Sequence, residues 1–84
     1  MRINVKLFAI LRERAGVPEL VLHLRPGATV ADASTELAEK FPDLSPFLGR
    51  VAFAVNQAYA KPDVLLSEGD ELALIPPVSG GRGD

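Results

Sequence analysis

Few residues of this 84-residue chain could carry chemistry, and elimination leads to its C-terminal stretch. There is no cysteine, which excludes disulfides, thiolate metal sites and a side-chain thiol nucleophile. The single histidine, His23, rules out a His-rich metal site and has no Cys, Ser or Asp near it in sequence, so it reads as a surface residue. Asp43, Asp63, Glu68, Asp70 and Glu71 fall in turns or on rims, where carboxylates are normally solvated. Asp70-Glu71 therefore reads as turn chemistry rather than an acid/base pair. Gly80-Gly81-Arg82-Gly83 is too short for a phosphate loop, which needs a strand before it and a helix after it. What remains is Ile75-Pro76-Pro77-Val78-Ser79-Gly80-Gly81, with Arg82-Gly83-Asp84 behind it.

That stretch has a physical logic. Glu71-Leu72-Ala73-Leu74-Ile75 is strand-like and stops at two prolines. Neither proline has an amide hydrogen to give a sheet, and both hold φ near the polyproline value. The chain beyond Ile75 leaves as a stiff arm, and from Pro76 to Gly81 it can reach roughly 20 Å. Two glycines follow, narrow enough to thread a channel closed to any residue with a Cβ. Composition alone leaves this insertion reading beside that of an untidy chain end. The expected division is a folded domain over residues 1–75 and an extended tail over 76–84 carrying Gly80-Gly81.

The elements that must hold such an arm are legible in the periodicity. Ile3, Val5 and Leu7 alternate with Arg2, Asn4 and Lys6, the pattern of a half-buried strand, and Phe8 falls on the polar face. Ala9 to Arg14 reads as a helical turn closed by Gly16. After Pro18 comes a second strand, with Leu20, Leu22 and Leu24 on one side and Val21 and His23 on the other. Thr29 and Asp32 form a variant capping box, and Val30, Ala33, Leu37 and Phe41 make a helical stripe that Pro42 ends. Asp43 to Gly49 reads as a loop. Val51, Phe53 and Val55 mark a third strand, Asn56-Gln57 a turn, residues 58–66 a short edge piece, and Ser67 to Asp70 another turn before the last strand. One main helix across a small mixed sheet, an α+β roll, is the economical packing.

Composition sets the outer bounds. A 48% hydrophobic and 24% charged chain is globular, and its length suffices for one modest core. The formal net charge of −2 argues against nucleic acid or anionic lipid as a partner. No apolar run reaches membrane-spanning length and the first residues alternate like a strand, so a cytoplasmic location is expected.

Three segments together resemble a known family. Val5-Lys6-Leu7-Phe8-Ala9 with Arg12-Glu13, the central Ala54-Val55-Asn56-Gln57, and Glu68-Gly69-Asp70-Glu71 followed by Ile75 to Gly81 are similar to the small subunit of molybdopterin synthase. That group is the MoaD/ThiS family of ubiquitin-like sulfur carriers. The resemblance spans residues 1–81 and implies a β-grasp fold. It also implies that the carboxylate of Gly81, with Gly80 beside it in a narrow channel, is adenylated by a ubiquitin-activating-like adenylyltransferase using ATP and magnesium. Sulfur then displaces AMP to give a thiocarboxylate. The tail enters the large synthase subunit, in a heterotetramer, and the sulfur passes to cyclic pyranopterin monophosphate. No cofactor is bound by the carrier itself, and it is not catalytic alone. The resemblance further implies partner contacts at Phe8, Tyr59 and Ile75, and along Pro76, Pro77, Val78 and Ser79.

The chain departs from the family pattern at one point. Gly81 is in peptide linkage to Arg82 and so has no carboxylate to adenylate. Trimming by a peptidase, a longer fusion and a cloning remnant all account for this. Arg82-Gly83-Asp84 also spells a cell-adhesion tripeptide, but nothing else in the sequence looks secreted. A carrier for thiamine, cysteine or thioacid synthesis and a lysine-conjugated modifier are the alternatives in function. For Phe8, Tyr59 and Ile75 the alternative is that they finish the core.

Overall fold

Alternation along each strand decides which side of the sheet meets the helix. The computed structural model describes residues 1–77. β1 spans Arg2–Leu7, with Ile3, Val5 and Leu7 buried and the polar residues between them on the other face. β2 (Glu19–His23) follows a short helix α1 (Ala9–Ala15), which Gly16 terminates at φ 82°, its N–H bonded to Arg12 O at 2.9 Å. Glycine occupies this left-handed C-terminal position without a Cβ penalty. α1 begins at Ala9 with φ 50°, a conformation that costs a non-glycine residue about 1 kcal/mol or more.

α2 (Val30–Lys40) is the main helix. Its capping box is complete: Asp32 N–H donates to Thr29 Oγ1 at 3.2 Å, and Thr29 N–H donates to Asp32 Oδ2 at 2.9 Å. The Thr29 amide holds the Asp32 carboxyl below its ordinary value, against the opposing effect of burial and with lesser help from the Thr29 hydroxyl and Arg25. Val30, Ala33 and Leu37 face the sheet and are fully buried, while Phe41 is half-buried at the C-cap.

The Asp43–Gly49 loop expected from the sequence is instead helical. A 3₁₀ turn over Pro42–Leu44 runs into α3 (Ser45–Leu48), with a proline near the start of each. Proline is pre-set for a first helical turn, and Leu44 is buried completely, so packing stabilises two turns too short to display a period. Arg14 of α1 lies over the Phe47 ring, 5.5 Å from its centroid, tying these turns to the rest.

β3 (Ala52–Val55) and β4 (Ala58–Ala60) form a hairpin. Asn56 and Gln57 both have positive φ, 51° and 72°, giving the two-residue turn whose twist matches the flanking strands. After β4 the chain crosses the start of α2, where Val30 and Ala31 donate to the carbonyls of Val64 and Pro62. β5 (Glu71–Ile75) then enters the middle of the sheet. The order is β2-β1-β5-β3-β4, with β5 parallel to β1 and antiparallel to β3. Leu72 and Leu74 of β5 are fully buried against the same core as Leu11, Leu22 and Leu37. Each such leucine contributes about 1.5–3 kcal/mol by leaving water. The α+β roll expected from periodicity is the fold observed, and the strand bearing the arm is its central one.

Candidate docking face and base of the arm

The face of the sheet turned away from α2 collects the residues singled out in the sequence. Pairing sets Lys6 beside Ala73, Ala73 beside Ala54 and Ala54 beside Tyr59, a row across four strands. The row is low in the middle, because two alanines stand there, and bordered by larger side chains. Ala54 and Ala73 form the floor of a groove of about 530 Å³, with Phe8, Tyr59 and Ile75 as its apolar walls. Phe8 and Tyr59 are 44% and 79% exposed and Ile75 is half-buried, so finishing the core is not what these side chains do. Large exposed aromatics around a shallow apolar floor make this face the candidate docking surface.

One end of the groove is polar. Lys6 Nζ lies 3.4 Å from Glu71 Oε1, a partly exposed ion pair of small energetic worth. At the other end Ile75 closes the β5 ladder opposite Ala52, and the chain continues into Pro76, half-buried, and Pro77, exposed. The groove and the root of the arm are thus contiguous. Val78, Ser79, Gly80 and Gly81, assigned to the arm from sequence, lie outside the described residues.

The polar lock beneath β5 was only half visible in the sequence, which marks both turns but not their pairing. Asn56 Nδ2 donates to Asp70 Oδ1 at 2.9 Å, and Glu71 N–H donates to Asn56 Oδ1 at 3.0 Å. The other Asp70 oxygen accepts from Ser67 N–H at 2.8 Å, and Gly69, at φ 84°, donates its N–H to Arg2 O at 2.8 Å. The turn expectation for Asp70 is met, and Asp43, Asp63 and Glu68 are exposed, as is His23. A second groove of about 750 Å³ lies between Ala31 and Ser34 of α2 and the β3–β4 hairpin. Its only sequence signal is the small residues on that side of α2. Among the described residues no helix is long and apolar enough to cross a membrane.

The model of the ThiS family matches residues 5–81. The chain belongs to the ThiS family. This ThiS-family chain is 42% identical over 81 residues to the molybdopterin synthase sulfur carrier subunit of Arabidopsis thaliana, covering 96% of this chain and 84% of that one. It is 35% identical over 82 residues to the protein of the same name from Mycobacterium tuberculosis, covering 96% and 99%. Among solved structures, SAMP1 from Haloferax volcanii superposes with a TM-score of 0.88 at 35% identity, over 96% of this chain and 100% of that one. A chain from the complex of subunits 1 and 2 of the molybdopterin-converting factor of Helicobacter pylori gives 0.71 at 26%, over 96% and 100%. A ubiquitin from Caldiarchaeum subterraneum shares the fold at 0.64. The roll of this ThiS-family member is the β-grasp that the resemblance implied.

Proposed function

We propose that this chain is the sulfur-carrier subunit of a molybdopterin synthase, working in the cytoplasm and delivering sulfur from the carboxyl end of Gly81. A carboxylate oxygen is a poor leaving group, so the carboxyl must first be activated. A ubiquitin-activating-like adenylyltransferase, using ATP and magnesium, forms the acyl adenylate with loss of pyrophosphate. A sulfur donor then displaces AMP and leaves a thiocarboxylate. The large synthase subunit receives the tail, and the sulfur passes to cyclic pyranopterin monophosphate. A cysteine-free protein carries sulfur in this way because no side chain is needed for it. The carrier is charged only after the Gly81–Arg82 amide is hydrolysed, freeing the Gly81 carboxylate and the Arg82 amine.

One observation carries this reading: the central strand β5 ends at Ile75 beside an apolar groove, and the family match runs on from there through Gly81. The folded body fixes the root of the arm at Ile75; Phe8, Tyr59 and Ile75 give partners a handle; and Pro76-Pro77, which have no amide hydrogen to donate, end the β5 ladder.

The likeness to SAMP1, whose full name is small archaeal modifier protein 1, favours a second reading, conjugation of the same terminus to lysine amines. One experiment separates the two. A chain ending at Gly81 is incubated with the activating enzyme, ATP, magnesium and a sulfur donor, and its intact mass is measured. The carrier gains the mass difference between sulfur and oxygen and loses it again on adding the large subunit and the pterin. Lysine-linked adducts identify the modifier. An unchanged mass overturns both.

A further inference from the structure

The free edge of β2 is complementary to itself. In the β1–β2 ladder Leu24 and Met1 exchange both main-chain bonds, and Leu7 N–H donates to Pro18 O at 2.9 Å. Antiparallel pairs alternate, so the main-chain groups of Leu20 and Leu22 turn toward β1 while those of Glu19, Val21 and His23 turn outward. Among the described residues no strand lies beyond β2 on this side, and all three outward residues are exposed. Pro18 does not blunt the edge, because its position belongs to the inward-facing set.

We propose that two copies of the chain associate weakly through β2, antiparallel and centred on Val21. In that register every outward N–H and C=O of Glu19, Val21 and His23 finds a partner, since 19 faces 23 and 21 faces 21 as hydrogen-bonded pairs. Glu-Leu-Val-Leu-His reads against its own reverse as Leu on Leu, Val on Val, and carboxylate on imidazole at both ends. Opposed pairs of this kind select a register, and a two-residue slip loses both of them. Glu19 is available for the contact. Its cross-strand neighbour Lys6 is engaged by Glu71, and no ion pair within the described residues holds Glu19. His23 lies opposite Arg2 and shares a shallow cavity with Arg25, Asp32 and Glu36, so a partner's carboxylate joins a surface of mixed charge. The two-fold axis of such a pair stands perpendicular to the sheet. The two sheets become one, both docking grooves lie on the same face, and neither β5 is covered.

Sedimentation equilibrium of the full chain tests this. A five-residue edge is far smaller than a stable interface, so dissociation is expected at about 10⁻⁴ to 10⁻³ M. Val21→Pro removes an outward N–H and none that β1 uses, and should weaken association at least tenfold with the β1–β5 amides still protected. Glu19→Lys should weaken it as well, and Glu19→Lys/His23→Glu should restore it. If Val21→Pro fails to fold, the charge swap decides alone. A monomer at every concentration up to about 1 mM, a dimer indifferent to these changes, or a double variant that does not recover overturns the proposal.

Discussion

Asn56 and Asp70 meet across 2.9 Å, joining the tip of the β3–β4 hairpin to the turn that launches β5. They are 14 residues apart in sequence, and each side chain also binds main chain of the other turn or of its own. Asn56 tolerates its φ of 51° better than most residues, so one side chain serves both the turn and the bond. The base of the central strand is thereby fixed at the end opposite the arm.

Removing either partner should therefore destabilise the fold. Asn56→Ala and Asp70→Ala are each expected to cost about 1–2 kcal/mol, with a coupling of about 0.5–1 kcal/mol in the double variant. Chemical denaturation of the four proteins measures it. Strict additivity would mean that the two turns are held independently.

The walls of the groove predict a separation of binding from folding. Phe8 is 44% exposed and Ile75 half-buried, so a charge placed at either meets water in the free protein and a desolvated partner in the complex. Phe8→Asp and Ile75→Asp should weaken binding of the large synthase subunit by about ten- to a hundredfold. Thermal midpoints should shift little for Phe8→Asp and somewhat more for Ile75→Asp. Calorimetric titration beside thermal melts checks this, and parallel losses in both would return these side chains to the core.

Most of this arrangement could be read before the structure, for identifiable reasons. β1, α2 and β5 have long enough periods to show their buried faces, and the prolines at 76 and 77 mark the end of β5 by removing its donors. Pro42 to Leu48 was opaque because two short turns carry no periodicity and are held by burial of Leu44 from a distance. The groove was partly legible: alternation puts Phe8 and Ile75 outside, but the floor of Ala54 and Ala73 depends on register between strands. Register between β3 and β5 is a property of two turns acting together, which a single pass along the chain does not reveal.

The capping box predicts a pH effect of definite sign. The Asp32 carboxyl sits below its ordinary value of 3.8, chiefly because the Thr29 amide binds its charged form. Its contribution is fully present above 3.8 and is lost as the pH falls through the lower folded value. Thermal midpoints of the wild type and Asp32→Asn should differ most near neutrality and converge in strong acid. Thr29→Ala should cost about 1 kcal/mol at neutral pH. A gap between wild type and Asp32→Asn that widens on acidification would contradict the assignment.

The alanine floor gives the sharpest test of the docking face. Ala73 is 7% exposed although it lies on the side of the sheet away from α2, and Ala54 beside it is 5% exposed. A larger side chain there has the groove to grow into and meets no core residue, since Leu72 and Leu74 on either side point the other way. Ala73→Leu should therefore change stability by less than about 1 kcal/mol, for it adds apolar surface in a strand without overfilling the interior. A partner whose side chain occupies the groove would instead meet the added carbons directly. Its binding should fall at least tenfold, while a terminus held only by contacts to the arm would still be adenylated at its normal rate. Binding by Ala73→Leu equal to that of the wild type would move the docking surface elsewhere, with the wider groove beside α2 the next place to substitute.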